Sequence, residues 1–454
     1  MPRSSRTLSA LLLLLGAGTA GAQSVSVPAS VDTLANGLTV IVHEDHSAPI
    51  AMVDIWYHVG SGDEKPGRTG FAHLFEHLMF MGSQHAPYPT FDRALEAAGA
   101  NNNGSTTEDR TNNDGIGPHP AEELMRWLEA DRMGWMLPTM DQEKLDAQRD
   151  IVKNERRQSY ENQPYGKVGD VLPPLLYPAG HPYSWPVIGS MADLSAASLD
   201  DVKDFFRTWY APNNAALVVA GDVRRDEVLA LARKYFGDIP RGPAIERPAA
   251  VQPRMTRDTL VLLEDRVQLP RLYYVFHTTR AWTADDAALR VAAQVLAGSK
   301  NSRLTKRLEY DDQSVTRVFA FPDHKRLAGD FQVIATAKPG VALPALQQAI
   351  DEELRRLAAE GPTAREMEQA RNVIESGFLS SIQTVFGKAD QLNEYYYETG
   401  TPDAFQRDLD RLKAVTAADV QRVVAEYLVG PRAIVSVVPE GRAELAATNR
   451  EVTP

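Results

Sequence analysis

The chain has 454 residues, of which 43% are hydrophobic and 24% charged, a composition typical of a folded globular protein of roughly two to four domains. Its formal net charge of −12 at pH 7 argues against a nucleic-acid-binding protein, because contacts to phosphates need a basic surface. Cysteine is absent, which excludes disulfide bonds, cysteine-bound zinc, iron–sulfur clusters and thiol nucleophiles.

Residues 1–22 are interpreted as a secretory signal peptide. Arg3 and Arg6 form a basic start, Leu11–Leu15 form the apolar segment, and Ala20–Ala22 provide a cleavage site of small residues. The alternative is a short buried helix. We expect an exported protein, most simply a periplasmic one. No later stretch reaches the ~18 uninterrupted apolar residues of a membrane span, so we expect no transmembrane helix in the mature chain.

Strands and helices are predicted to alternate along the first half of the mature chain. The strand predictions rest on β-branched or continuously apolar runs, and the helix predictions rest on apolar residues at helical spacing between start and stop signals. The predicted strands are Leu38–Val42, Ala51–Val59 and Ala215–Ala220. The predicted helices are Phe71–Met81, Phe91–Ala98, Glu122–Met136, Gln142–Tyr160, Leu199–Trp209 and Val228–Phe236.

The pattern restarts after residues 241–258, a segment rich in proline, arginine and alanine that is predicted to be a linker. Thr259–Asp265 repeats the residue types of Thr39–Asp45, and later matches keep a similar offset of roughly 220 residues. A two-fold internal duplication is therefore predicted. We expect an α+β protein with a first half at residues 23–240 and a second at 259–454, each a mostly antiparallel sheet with helices packed on one face.

The segment Phe71–Phe80 carries the residues that indicate chemistry. His73 and His77 are four residues apart, so they project from one face of a helix, and Glu76 lies beside them. The neighbouring residues are apolar, which is typical of a helix buried nearly all round. Burying two imidazoles and a carboxylate without partners costs several kcal/mol, and a divalent cation that binds both histidines removes this cost. The alternative is a pair of hydrogen-bonded core histidines.

A catalytic zinc site has three protein ligands and one open position, so a third ligand is expected from another element. In the helix predicted to begin at Gln142, Glu155 falls on the face of the apolar residues, where an unpaired carboxylate is expensive. We therefore interpret Glu155 as the third ligand. The alternative is a surface position for Glu155 at a frayed helix end, with Asn154 or Glu161 as the ligand.

The second half provides an internal comparison, because it carries only apolar or small residues at the four corresponding places. These residues are Leu289, Ala292 and Ala293 on one predicted helix and Gly377 on another. The fold therefore does not require the two histidines and two glutamates of the first half. They are an addition to one copy, as expected for a functional site.

Two histidines and one glutamate would hold one zinc ion per chain, and such an ion lowers the pKa of bound water towards neutrality. Glu76 is then the candidate general base, since it can take the proton of the water and pass it to the leaving amine. The predicted reaction is hydrolysis of a peptide bond through a tetrahedral intermediate, without a covalent enzyme species.

These residues resemble the M16 family, the pitrilysin/insulinase-type metallopeptidases, whose hallmark is an inverted His-x-x-Glu-His motif followed by a distant glutamate. The resemblance rests on Phe71–Ser83 and Val152–Arg157 and extends over almost the whole mature chain, whose length is similar to that of the short two-domain, processing-peptidase-like subfamily. It implies that both histidines and Glu155 bind zinc and that Glu76 is the general base.

The segment Asn103, Gly104, Ser105 and Thr106 is similar to the active-site edge strand of the family. The resemblance implies that these residues bind substrate. Such a role is chemically sensible, because an extended peptide can add to a free strand edge through backbone hydrogen bonds whatever its sequence. The alternative is a polar turn rich in asparagine.

The chain departs from the family's pattern at two places. Many members have a glutamate where this chain has Gln148, a neighbour of the ligands, so metal binding should survive although the rate or pH optimum would differ. Active members usually hold substrate with an arginine and a tyrosine of the metal-free half, and the aligned residues here are Glu309 and Thr316. A shifted alignment around Tyr310 and Arg317 is the alternative.

The missing pair implies a partner, which is either a homologous metal-free subunit that supplies the arginine and tyrosine or a second copy of this chain. The resemblance thus implies a zinc metalloendopeptidase that acts on peptides or unfolded polypeptides as the zinc-bearing subunit of a two-chain enzyme. The competing interpretations are a non-catalytic scaffold and a peptide-binding subunit on the same fold. Metal analysis combined with a peptidase assay distinguishes them.

Overall fold

A computed structural model describes residues 24–247, 249 and 251–448. The predicted signal peptide lies outside the described residues. Within this part the strands of a first sheet are β1 (Ser30–Thr33), β2 (Thr39–Glu44), β3 (Ile50–Tyr57), β4 (Asn101–Thr106), β5 (Thr111–Pro118) and β6 (Ala215–Gly221). The strands of a second sheet are β7 (Thr259–Asp265), β8 (Arg271–Thr278), β9 (Val315–His324), β10 (Gly329–Ala337) and β11 (Ala433–Pro439).

The two sheets share one topology. Their strand orders are β1-β2-β6-β3-β5-β4 and β7-β11-β8-β10-β9, which match strand for strand once β1 is set aside. In each sheet one pair is parallel, β2 with β6 and β7 with β11, and the other pairs are antiparallel. The predicted α+β fold of two alike, mostly antiparallel halves is confirmed.

Helices follow the strands in both halves. The helices before the second sheet are α1 (Phe71–Leu78), α2 (Thr90–Ala97), α3 (Glu122–Trp135), α4 (Gln142–Arg156), α5 (Val168–Leu176), α6 (Met191–Ala196), α7 (Leu199–Trp209) and α8 (Arg225–Phe236). Those of the second half are α9 (Ala284–Ala297), α10 (Leu343–Glu360), α11 (Ala364–Ser381), α12 (Val385–Thr399), α13 (Phe405–Lys413) and α14 (Ala417–Val423). No strand or helix lies between α8 and β7 in the described residues.

Each sheet packs one face against helices of its own half. In the first half, Val53 and Ile55 of β3 pack in one core with Phe75 of α1 and Leu128 of α3. In the second half, strands β8 and β10 form an equivalent core with α9 and α10. Apolar side chains alternate towards these cores along the strands, as expected for a sheet that buries one face against helices.

The opposite face of each sheet is covered by a helix of the other half. Ile41, Met52 and Val218 of the first sheet pack against Leu392 and Tyr395 of α12. The second sheet is covered in the same way by α5, whose Val168 packs on Tyr273 and Val435. Among the described helices, none combines the length and the hydrophobicity that crossing a bilayer requires.

Candidate metal centre

Helix α1 begins at a position that favours glycine. Gly70 has φ +89°, and a Cβ atom there would lie 2.6 Å from the carbonyl oxygen of Ile188. The carboxylate of Glu64 accepts hydrogen bonds from the N–H groups of Gly70 at 2.9 Å and Ala72 at 2.8 Å. Burial raises the pKa of Glu64 well above its usual value. A buried side chain therefore satisfies the free N–H groups at the start of α1.

The apolar side of α1 packs on α7 and the residue after it. Phe75 stacks on Phe205 with ring centroids 5.7 Å apart and lies 5.0 Å from the ring of Tyr210. Leu74 and Leu78 are fully buried. The helix ends at Leu78 and not at Met81 as predicted, and the polar side chains of α1 lie on the side that faces α4 and β4.

Helix α4 brings Glu155 to this side. Asp141 caps its start by accepting a hydrogen bond from the Lys144 N–H at 2.9 Å. The helix ends at Arg156, earlier than the predicted Tyr160, and continues as a π-helical turn at Arg157–Glu161. Glu155 therefore lies in the last turn of α4, half-buried and turned towards α1.

The end of α4 is held by its neighbour α5. Both terminal nitrogens of the Arg156 guanidinium donate hydrogen bonds to the Asp170 carboxylate, at 2.8 and 2.9 Å. The same guanidinium lies over the ring of Tyr160 at 5.2 Å from its centroid. Because Arg156 is adjacent to Glu155, this bidentate pair fixes the turn that carries the carboxylate.

The side chains of two helices meet at one point. Oε2 of Glu155 lies 3.2 Å from Nε2 of His77 and 3.7 Å from Nε2 of His73, and one nitrogen or oxygen from each residue lies within 4.8 Å of the others. Within the described ranges, no other set of three or more such side chains converges in this way. Neither Asn154, which accepts a hydrogen bond from Arg157, nor Glu161 joins the group.

Charge and burial set the protonation of this group. Burial, assisted by the neighbouring His77, lowers the pKa of His73 below its usual value. The hydrogen bond with His77 lowers the pKa of Glu155. The group therefore offers a neutral imidazole at His73 and an ionised carboxylate, which are the protonation states that a metal ion requires. Two nitrogen donors and one oxygen donor fit a zinc ion with an open position.

Glu76 lies on α1 beside this group without belonging to it. Its Oε2 atom accepts a hydrogen bond from the hydroxyl group of Thr106 at 2.7 Å. Burial raises the pKa of Glu76 above its usual value. A half-buried carboxylate with a raised pKa, adjacent to a candidate metal centre, has the properties of a proton-transfer group.

The predicted substrate segment forms strand β4 and not a turn. Asn103, Gly104, Ser105 and Thr106 all belong to it, and within the described part of the chain β4 pairs only with β5, so its other edge is free. Ser105 donates a hydrogen bond to Asn112 on β5 at 2.6 Å. Helix α1 lies against β4, and a Cβ atom at Gly104 would lie 3.1 Å from Cγ of Glu76, so the backbone of β4 is close to Glu76.

Three further predicted residues make their contacts elsewhere. Gln148 is buried, and its amide nitrogen lies 2.7 Å from the sulfur atom of Met81, so it supports the segment after α1. Glu309 accepts a hydrogen bond from the Val318 N–H at 3.0 Å. The Thr316 hydroxyl group donates one to a carbonyl oxygen of β10 at 3.2 Å. The side chains of Glu309 and Thr316 thus hydrogen-bond within their own half.

The corresponding helix pair of the second half lacks these functional groups. Helix α9 packs on α11 as α1 packs on α4, and its Leu289, Ala292 and Ala293 are buried. A Cβ atom at Gly377 of α11 would meet nothing within 4 Å. The space that Glu155 fills in the first half is therefore open in the second.

Sequence reasoning missed two residues that support the centre. Arg156 stands in the Val152–Arg157 segment on which the resemblance rests, so its position next to Glu155 was a usable signal. Glu64 precedes the helix that it caps by six residues or more, farther than the local spacing of capping motifs reaches. No sequence pattern pointed to it.

Comparisons with known proteins identify the family of this chain. Residues 39–173 match the family model described as insulinase (peptidase family M16), and residues 196–374 match the one described as peptidase M16 inactive domain. The chain belongs to the M16 family. The first match contains His73, Glu76, His77 and Glu155. The second match extends from the end of the first half into the second half, which lacks these residues.

Relatives match over nearly the whole length. The zinc protease PqqE of Helicobacter pylori is 29% identical over 426 residues, which cover 92% of this chain and 94% of the relative. A probable mitochondrial-processing peptidase subunit beta of Arabidopsis thaliana is 24% identical over 418 residues, 88% of this chain and 76% of the relative. The M16 relatives named as zinc proteases therefore include bacterial proteins of similar length.

Solved structures show the same two-domain M16 fold. The crystal structure of a protease from Helicobacter pylori superposes with a TM-score of 0.85 at 25% identity, covering 91% of this chain and all of that one. A structure from Pseudomonas fluorescens, described as a peptidase M16 inactive domain, has a TM-score of 0.82 at 18% identity and covers 93% of this chain and all of that one. The second likeness concerns the fold alone.

Proposed function

We propose that this protein is a zinc-dependent metallopeptidase that hydrolyses peptides or unfolded polypeptides. The observation that carries the proposal is the convergence of Nε2 of His73, Nε2 of His77 and a carboxylate oxygen of Glu155 within 4.8 Å. Two histidines and one glutamate are a known ligand set of catalytic zinc sites. The name of the Helicobacter pylori relative, a zinc protease, supports the same metal.

In this proposal the ligand residues and Glu76 have separate tasks. His73, His77 and Glu155 hold one zinc ion, which when bound supplies Lewis acidity to the carbonyl oxygen and to water. Glu76 acts as the general base, taking a proton from the attacking water and passing it to the leaving amine. Its burial, which raises its pKa, suits a carboxylate that must accept and then donate a proton near neutral pH.

Strand β4 supplies the proposed peptide site. It is an edge strand and it contacts α1, so a peptide that adds to Asn103, Gly104, Ser105 and Thr106 would lie near the candidate centre. Backbone pairing holds extended chains whatever their sequence. This supports short peptides and unfolded segments as substrates, in preference to folded proteins, whose backbones are already paired.

We further propose that the active enzyme contains a second chain. The resemblance aligns Glu309 and Thr316 of the second half with an arginine and a tyrosine of active family members, and a shifted alignment around Tyr310 and Arg317 is the alternative. A homologous metal-free subunit, or a second copy of this chain, would contribute such substrate-holding residues. The relatives from Arabidopsis thaliana and Lentinula edodes are each named subunit beta of a mitochondrial-processing peptidase, which supports the two-chain arrangement.

The test combines zinc content with hydrolysis of an unfolded polypeptide. We expect one zinc per chain in the parent protein, loss of zinc in Glu155→Gln, and retained zinc with a loss of hydrolysis of about 10²–10⁴-fold in Glu76→Gln. The matched control is Glu161→Gln, at an exposed glutamate of the turn after α4, which should change neither. Full hydrolysis by Glu76→Gln would contradict its role as the base.

The second candidate function is a peptide-binding subunit without catalysis, and the residues Glu309 and Thr316 favour it. The same measurements separate the two functions. Zinc retained without cleavage, both for the protein alone and for the protein co-expressed with a neighbouring homologue, would support the binding subunit. Cleavage that appears only with the homologue would support the two-chain peptidase.

A further inference from the structure

The two faces of strand β4 have different surroundings. Even-numbered side chains face the helices, since Asn102 donates a hydrogen bond to Asp92 of α2 at 3.0 Å and Thr106 donates one to Glu76 of α1 at 2.7 Å. Ser105, between them, points to the other face, where it contacts Arg110 and Asn112. The strand proposed to hold the peptide therefore also contacts the proposed base.

Among the described residues, Thr106 alone donates a hydrogen bond to the Glu76 carboxylate. The bond ends on Oε2, and no donor from the described ranges reaches Oε1. A glutamate side chain has three rotatable torsions, and holding one of its two oxygens removes most of that freedom. The second oxygen remains free to meet a water molecule.

Gly104 contributes to the same arrangement by having no side chain. A Cβ atom at this position would lie 3.1 Å from Cγ of Glu76 and 3.3 Å from Cε2 of Phe80, closer than ordinary van der Waals contact. The absence of a side chain at Gly104 leaves room for the stem of Glu76, and Thr106 two residues later holds its end.

The Thr106 hydroxyl group is not needed for strand pairing. Thr106 pairs with Thr111 on β5 through its backbone, whereas its hydroxyl hydrogen bond goes to a side chain on a helix. A valine, which has the same shape and a similar strand preference, can keep the pairing. The fold therefore does not require the hydroxyl group, whose hydrogen bond acts on the proposed base Glu76.

We infer that Thr106 is a positioning residue that fixes the Glu76 carboxylate for proton transfer, an inference that rests on the proposed peptidase function. The edge strand then has two tasks: its backbone pairs with the peptide, and its side chains place the base relative to that peptide. A shift of strand β4 therefore moves both groups together, which keeps the base in register with the bond to be cleaved.

The kinetic test uses Thr106→Val and Thr106→Ser. We expect Thr106→Val to lower kcat by about 10–100-fold with KM and zinc content unchanged, because the carboxylate is less well placed while the backbone edge and the zinc ligands are intact. Thr106→Ser keeps the hydroxyl group and should restore most of kcat. The matched control is Thr259→Val, at a half-buried threonine on β7 of the second sheet, which should leave kcat unchanged.

A structural readout tests the inference without activity. Crystal structures of the parent and of Thr106→Val should show one Glu76 conformer in the parent and a displaced or divided carboxylate in the variant. An unchanged Glu76 conformer, or an unchanged kcat in Thr106→Val, overturns the inference. If the zinc-loaded parent cleaves nothing even with a partner subunit, the proposed function fails, and the position of the carboxylate still decides the role of Thr106.

Discussion

The side-chain amide of Asn393 on α12 donates a hydrogen bond of 2.8 Å to the carboxyl group of Asp54 on β3. This contact joins the second half to the first sheet across 339 residues of sequence. A second amide, that of Asn112, reaches the other oxygen of Asp54 at 3.3 Å. Burial and the nearby carboxyl group of Asp390 raise the pKa of Asp54 to about 8, so the folded protein holds Asp54 protonated at neutral pH.

Asp54 should make the protein less stable as the pH rises. Its pKa is about 8 in the folded state against an ordinary 3.8, so its contribution is complete below the ordinary value and is lost up to pH 8. Each pH unit in this interval costs up to about 1.4 kcal/mol. Urea unfolding should show a weaker loss of stability in Asp54→Asn than in the parent. Asp226→Asn, at an exposed carboxylate, should follow the parent.

His58 should limit stability at the acidic end. Burial, together with Arg247 and Arg326, lowers its pKa to about 3 from 6.5, and its ring stacks on Tyr397 of α12 at 4.3 Å. A lowered histidine pKa gives a contribution that is complete above pH 6.5 and is lost as the pH falls towards 3.

The variant His58→Phe keeps an aromatic ring but cannot be protonated. Its thermal unfolding temperature should therefore fall less steeply than that of the parent between pH 6.5 and pH 4. The control His119→Phe changes an exposed histidine and should not alter the slope. Parallel pH profiles for His58→Phe and the parent would contradict the assignment.

Arg156 should affect zinc binding without contacting the ion. Arg156→Ala removes the bidentate pair with Asp170 and releases the turn that carries Glu155, so we expect the Kd for zinc to rise by about tenfold. Chelator competition measures this constant. Arg157→Ala, which changes the exposed neighbour, is the control. Equal zinc affinity of the two variants would show that the Asp170 pair does not hold the ligand.

Glu64 should stabilise the start of α1. In Glu64→Gln, one of the N–H groups of Gly70 and Ala72 meets an NH₂ group in place of an oxygen, and we expect a loss of about 1–2 kcal/mol in the free energy of unfolding. Chemical denaturation measures the change. The control Glu143→Gln lies in the first turn of α4 at an exposed position. It should lower the free energy of unfolding by no more than about 0.5 kcal/mol.

Local patterns were sufficient where the determinants are local. His73, Glu76 and His77 lie on one short helix, so their spacing alone places them together. Helix α7 has the predicted bounds Leu199–Trp209, because the hydroxyl group of Ser198 caps its start within three residues. Glu155 could be assigned to the inner face of α4 because helical periodicity holds up to Arg156.

Long-range contacts could not be predicted in this way. The approach of Thr106 to Glu76 depends on how β4 lies beside α1, and the bond between Asn393 and Asp54 depends on how two halves dock. Neither contact produces a periodic pattern of residues that could be recognised in the sequence. The end of α1 was overestimated because apolar residues continue past Leu78. The α-helical part of α4 ends at Arg156, but the chain continues as a π-helical turn to Glu161, and the sequence pattern did not mark this change of helix type.

The exchange of covering helices has an evolutionary consequence. A chain cut within residues 241–258 keeps every strand, but either fragment alone exposes an apolar sheet face that includes Met52 and Val218 in one case and Tyr273 and Val435 in the other. Exposed faces of this kind aggregate. The two halves of the predicted duplication could therefore differ in chemistry, with the candidate ligands in one of them, but neither half could be discarded.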